Sequence, residues 1–463
     1  MKTKLLCGAG LVAAAISLRL FASGNANEEF VAHEWGTFTS VQGADGIQIE
    51  WNPIIKTDLP EFVYTRDNRQ NGFPKGHQTL DVFNKGAMPS FVRMETPVIY
   101  FYSDQARTAD VRVQFPQGRI TEWYPQATRF GPYLTTNKAE AKEANRSFIE
   151  WTGVKILPRA TKEISADQLI RDKVEKSENH YYAARETDAN FLRVAAPYAR
   201  SGVEYERDLF YRGVGFLKGP LTLTLQANED DLLLSTKTET VTDLFVLSIR
   251  NGMARYQFID RVTPKDGHAV KLEAKPFAPL SDVRQNVMRE MEAALARQGL
   301  YAKEAKAMVN TWKDQWFAEE GTRVLYLLSP AWTDSTLPLE ISPRPSNVVR
   351  VMVGRAELIT PSMERELSKQ VTLYHQGDDD VKQQAVSEVR QLGLGRFLDP
   401  AARKMLGKTP PKEFSNAAWE LVHEASKTVV GKAADVVEKQ PAPSAPKKTA
   451  TLSGANALEH ATF

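Results

Sequence analysis

Alternation of apolar and polar residues begins at Val31. Val31, His33, Trp35, Thr37, Thr39 and Val41 share one side of an extended chain, Gly43-Ala44-Asp45-Gly46 supplies turn chemistry, and Ile47, Ile49 and Trp51 alternate again. This pattern predicts a strand and a hairpin. After a Pro- and Gly-punctuated stretch at 52–89, strand-like runs recur at 98–102, 111–115, 119–124, 148–157, 191–194, 209–211, 221–225, 232–235, 244–249, 255–262 and 270–272. Short strands without intervening helices of crossover length predict antiparallel sheets packed as sandwiches rather than a βαβ fold.

The period changes at Ser281, a helix cap followed by Val283, Val287, Met291 and Leu295 every four residues and stopped by Gly299. A second helix over 302–317 carries Ala305, Met308, Val309, Trp312 and Trp316 on one stripe, so the two form an αα-hairpin. Strand character on its far side, at 324–328, 338–341 and 348–359, makes the hairpin an insertion in a β domain. Thr360-Pro361 then opens a helix with hydroxyl cap and first-turn proline. Met363, Leu367, Val371 and Tyr374 form its stripe; the acidic run Asp378-Asp379-Asp380 precedes another, and helices near 400–406 and 415–438 follow. The fold class expected is mainly β with α: antiparallel β-sandwich domains, an inserted αα-hairpin and a C-terminal helical region. The expected division is a leader at 1–26, a β-sandwich-like domain at 27–160, a second β domain at 161–360 with the hairpin at 281–319, a helical region at 361–438 and a disordered tail at 439–463, where large apolar side chains are few. The boundary segment 159–178 holds its own helical candidate at 165–176.

Lys2 and Lys4, an apolar run at 5–18 and small residues ending in Gly24-Asn25-Ala26 have the order of a secretory signal peptide, with cleavage expected after Ala26. The run is shorter than the roughly 20 residues of a membrane span, and no later segment supplies one. A periplasmic or extracellular location is the expectation. Residues 1–26 hold three of the 59 Lys and Arg and none of the 57 Asp and Glu, so the remaining chain is near neutral at −1. That balance argues against a nucleic-acid partner, which would show a basic stripe. Cys7 is the only cysteine and lies in the leader, so the processed chain has no disulfide, Cys-ligated metal or thiol nucleophile.

The segments Ala32-His33-Glu34-Trp35-Gly36-Thr37-Phe38-Thr39-Ser40, Glu95-Thr96-Pro97-Val98-Ile99-Tyr100-Phe101-Tyr102 and Ile120-Thr121-Glu122-Trp123-Tyr124-Pro125 resemble an uncharacterised family of exported bacterial proteins with an AHEWGTFTS-type start. The resemblance runs through the β region to 348–361. It implies export and a shared architecture, and no activity, cofactor or catalytic residue.

Catalytic templates fail on spacing. His33-Glu34 lacks the second histidine of His-Glu-x-x-His, since Thr37 stands there, and neighbours on a strand point to opposite faces. The bland reading of His33 is a half-buried histidine hydrogen-bonded beside Trp35. If 180–188 is a strand, His180, Tyr182, Ala184, Glu186 and Asp188 share a face, making His180, Glu186 and Asp188 metal-ligand candidates; the alternative is a solvated face paired with Arg185 or Arg193. Gly213-Val214-Gly215-Phe216-Leu217-Lys218-Gly219 misses the dinucleotide spacing by one residue and reads as a turn. Aromatics remain: Trp35, Trp51, Trp123, Tyr124 and Tyr182 could stack on sugar faces while carboxylates accept hydroxyl hydrogen bonds, although tryptophans in strands are commonly sandwich core.

The leading expectation is an exported binding or scaffolding protein for a glycan or cell-envelope polymer. The competing one is a secreted hydrolase, glycosidic or metal-assisted, built on His33, Glu34, Glu122, His180 and Glu186. A third is an architectural subunit whose C-terminal helices dock a protein partner. No cofactor is indicated.

Overall fold

The computed structural model describes residues 29–53, 59–60, 62–66, 89–132, 146–158, 179–199 and 201–427. The leader with Cys7, the helical candidate at 165–176, the tail at 439–463 and the last helix beyond 427 lie outside the described residues.

Ten strands form the central sheet. Its order is β16 (Ala278–Pro279), β14 (Met253–Val262), β13 (Val241–Arg250), β17 (Gly321–Leu327), β19 (Asn347–Ile359), β1 (Phe30–Gly43), β3 (Val92–Ser103), β10 (Leu209–Gly215), β5 (Gly118–Tyr124) and β2 (Tyr64–Thr65). All neighbours are antiparallel except β1 and β19, which run parallel from Val31↔Asn347 to Gly43↔Ile359. Strands from both sides of position 160 interleave here, so the two expected β units share one sheet. A second sheet has the order β18 (Leu339–Ser342), β4 (Arg107–Phe115), β7 (Ser147–Ile156), β8 (Leu192–Ala195) and β9 (Val203–Glu206), with β6 (Arg129–Gly131) also on β7. A small third sheet pairs β11 (Leu221–Leu225), β12 (Asp231–Thr236) and β15 (His268–Lys271). The molecule is mainly β, rich in antiparallel pairing, with helices inserted and C-terminal, as expected.

Every residue of β1 is buried, because both faces of the central sheet are covered. On one face Trp123 meets Phe130 of the second sheet at 4.4 Å, and Trp151 Nε1 donates to Pro125 O (3.0 Å), giving a sandwich core. The other face lies under the αα-hairpin of α1 (Leu280–Arg297) and α2 (Ala302–Phe317). The stripe Val283, Val287, Met291 and Leu295 is buried as its spacing predicts, but α1 starts at Leu280, so Ser281 is inside the helix and not its cap.

A short helix α3 (Pro330–Thr336) separates β17 from β18. The C-terminal helices are α4 (Pro361–Gln376), α5 (Asp379–Gln391), α6 (Leu398–Leu406) and α7 (Lys412–Lys427). Thr360 caps α4 through Met363 N, and Asp378 caps α5 through Val381 N. These helices enclose a second core that receives Trp51, whose ring lies 5.8 Å from that of Phe397. An ionic network fastens it: Arg355 donates to Glu357 (2.8 Å) and Glu319 (2.6 Å), and Arg396 to Glu95 (3.1 Å). The expected turn at Gly213 is instead strand. A Cβ there would stand 2.0 Å from Arg119 O, so only glycine lets β10 approach β5 so closely.

Candidate functional site

Most sequence candidates are spent on structure. His33 is fully buried, not half-buried, and its Nδ1 lies 2.7 Å from Glu304 Oε2 on α2. Glu34, on the opposite face, accepts from Tyr211 Oη (2.5 Å) and Arg350 Nε (2.7 Å). Glu122 is paired with Arg212 (3.1 Å) and Thr121. The segment after Asn179 is not a strand but a 3-10 helix, His180–Arg185, because the Asn179 side chain accepts from Tyr181 N and winds the chain at once. His180, Glu186 and Asp188 therefore do not converge. His180 Nδ1 lies 2.7 Å from Thr311 O, Glu186 is exposed at the helix end, and Asp188 pairs with Lys303 (2.6 Å). Among the described residues no three His, Cys, Asp or Glu side chains are placed to hold a metal. Trp35, Trp51 and Trp123 are at most 1% exposed and offer no stacking platform, since they are enclosed in the core.

The same 3-10 turn builds something else. Residues three apart eclipse on such a helix, so Tyr182 and Arg185 share a side, with the guanidinium 4.9 Å from the ring centroid. They wall a cleft with Tyr181, Tyr124, Phe62 and Phe210, offering about 50 Å³ to water-sized groups. Thr96 lies on its β3 wall. Both neighbouring ladders skip Thr96 and Pro97: β1 jumps from Val98 to Glu95, and β10 from Val98 to Met94. Proline has no N–H for a central ladder, and a bulge results. Thr96 is held at φ 44°, a strained conformation for a β-branched residue, and its Oγ1 is buried without a hydrogen-bond partner.

Two carboxyls complete the cleft. Glu206, at the end of β9, takes Arg185 Nε on both oxygens (3.0 Å each) and Arg207 N on Oε1 (2.8 Å). Asp208, in the two-residue link to β10, is 5% exposed and makes no hydrogen bond or ion pair among the described residues. Burial, reinforced by the charge of Glu206, pushes its carboxyl well above the ordinary carboxylate range against the opposing pull of Arg185 and Arg207. A neutral carboxyl can both donate and accept. Beside it stand an orphan hydroxyl and five aromatic or phenolic walls. The arrangement suits a small hydroxyl-bearing group that exchanges hydrogen bonds at its rim and lays C–H faces on rings.

Of the sequence candidates, Tyr124 and Tyr182 reach this cleft, and Glu122 stands one step behind it, since Arg212 also contacts Tyr181 Oη (3.4 Å). Asp208, Glu206, Arg185 and Thr96 were missed as site residues. Two signals pointed to them: proline inside the strongest strand of the first half, and carboxylates alternating at Glu204, Glu206 and Asp208 up to the edge of an apolar strand.

No family model matches the chain, and no curated protein matches it. Among solved structures, it is similar over 72% of its length, and 98% of theirs, to the yeast delta-COP-I mu-homology domain in complex with a Dsl1 WxWxV peptide (7% identity, TM-score 0.24) and to the same yeast domain alone (8% identity, TM-score 0.25). Overlap at that level carries no inference.

Proposed function

We propose that this is an exported binding or scaffolding protein that takes a hydroxyl-rich unit of a glycan or cell-envelope polymer in the Asp208 cleft. Export rests on the leader pattern at 1–26. The observation that carries the ligand class is Asp208, a buried carboxyl that makes no hydrogen bond or ion pair among the described residues, in the cleft that also holds the orphan hydroxyl of Thr96. Leaving a buried polar group unmade costs about 1–3 kcal/mol, and sugar hydroxyls, each both donor and acceptor, recover it on binding. Binding is favoured over hydrolysis because glycosidic cleavage needs a second carboxylate free to act as base or nucleophile. Glu206 has both oxygens committed to Arg185.

The test is a glycan array followed by calorimetry on the wild type and Asp208→Ala. A bound envelope or plant glycan whose affinity falls at least tenfold in the variant supports the reading. The absence of any glycan binding overturns it, and turnover of the bound glycan that is lost in Asp208→Ala replaces it with the hydrolase.

A further inference from the structure

Away from the cleft, β19 is longer than its outer partner. β17 pairs with it only from Val353 to Leu358, and Leu328 N closes that ladder on Met352 O (2.9 Å). Residues Asn347 to Val351 continue beside β1 with no strand on their outer flank among the described residues. Backbone groups two residues apart on a strand face the same way. Since Met352 O points outward, the N–H and C=O groups of Arg350 and Val348 do too.

A second unpaired edge lies close by. Among the described residues β18 pairs with β4 alone, so its outer edge is also open. The two strands border an open groove of about 690 Å³ whose walls include Leu339, Ile341, Val348 and Val349. Val348 is 40% exposed where a protected edge would carry a charge or proline. The Arg350 guanidinium is consumed by Glu34 and Asp334, whereas Arg344 at the rim has no ion pair among the described residues.

We propose that this groove receives an extended segment of a partner protein by strand addition along Asn347 to Val351. Apolar side chains at alternate positions of that segment rest on Val348 and Ile341, and an acidic side chain meets Arg344. The main chain of an extended peptide is the ligand that satisfies a row of unpaired backbone donors and acceptors. A second copy of this chain fits less well, because its edge Asn347-Val348-Val349-Arg350-Val351 offers no acid to Arg344, and Glu340 on β18 already accepts from Gln114 (2.9 Å).

The probe is a seven-residue peptide alternating valine and threonine with a central aspartate, titrated into the full chain by calorimetry. N-methylation of its alternate amides along one edge is expected to weaken binding at least tenfold. Val348→Pro, which deletes one outward N–H and leaves the β1 ladder intact, does the same without lowering Tm. Arg344→Glu weakens the aspartate peptide severalfold, and a peptide with lysine in place of aspartate recovers that loss. Equal binding of the methylated peptide, or no peptide binding at millimolar concentration, overturns the proposal. So does a concentration-dependent dimer that Val348→Pro abolishes, which assigns the edge to a second copy; should that variant fail to fold, the methylated peptide and Arg344→Glu decide.

Discussion

Asp208→Asn replaces the unpartnered carboxyl by a neutral group of the same shape, and its effect on stability has a pH signature. In the unfolded chain Asp208 titrates near its ordinary value of 3.8, whereas in the fold burial and Glu206 hold its proton on to well above that. A folded-state pKa raised in this way means that the group's stability is full below the unfolded value and is lost as pH rises through the folded one. Between the two, the native state binds one proton more than the unfolded state, so the wild type loses about 1.4 kcal/mol per pH unit through this group alone. The amide loses none of that. Urea denaturation followed by tryptophan fluorescence over a pH series rising from the unfolded value should therefore show two stability curves that diverge, the variant gaining on the wild type by about that slope until the folded-state value is passed. Parallel curves would mean that Asp208 is ionised in the fold, and the account of the cleft as a site of neutral carboxyl chemistry would fall with them.

Glu95 behaves in the opposite sense. Burial acts to raise its carboxyl, but Arg396, Arg93 and Thr39 outweigh burial and hold it at about 2, so its contribution is present above its ordinary 4.5 and is lost as pH falls toward 2. Glu95→Gln should erase about 3 kcal/mol of that acid dependence, measured as the difference between the two acid-denaturation profiles. Arg355→Ala removes one of two arginines from each of Glu357 and Glu319, which keep Arg323 (3.2 Å) and Arg396 (3.6 Å), and should cost about 1.5–3 kcal/mol in guanidinium denaturation; a loss below about 1 kcal/mol would show that the network is not what fastens the C-terminal helices. Thr96→Gly relieves a positive φ that costs a β-branched residue about 1–3 kcal/mol, so Tm should rise while calorimetry shows weaker glycan binding.

How much of this was legible depended on the range of the interaction that decides each feature. The Thr360 cap, the stripe of α1 and the turn after Val41 are set by residues within a few positions of one another, and they were readable. The parallel pairing of β1 with β19 joins residues more than 300 positions apart, and no local pattern announces it. Asn179 illustrates the limit at short range. Two-residue alternation through His180, Tyr182 and Ala184 looked like a strand, yet one side-chain cap at the start outweighed it. The strand tryptophans misled differently: alternation assigns residues to faces, but whether a face is covered by a second sheet or by α1 and α2 is a tertiary fact.

What distinguishes Asp208 from the other buried carboxyls among the described residues is that it makes no hydrogen bond or ion pair at all. Glu34 is satisfied by Tyr211 and Arg350, Glu122 by Arg212, and Glu357 by Arg355 and Arg323. Each is a closed set, in which donors and acceptors answer one another, and closed sets hold a fold together without asking for a ligand. Asp208 is the buried carboxyl that breaks the pattern, and it does so where a bulge at Thr96 and Pro97 already strains the sheet and leaves a second polar group without a partner. A fold that gives its other described buried acids at least one partner, across two sheets and a helical hairpin, has the means to give this one a partner as well. The same reasoning assigns His33 and Glu34 to architecture despite their reactive chemistry: their hydrogen bonds are already made.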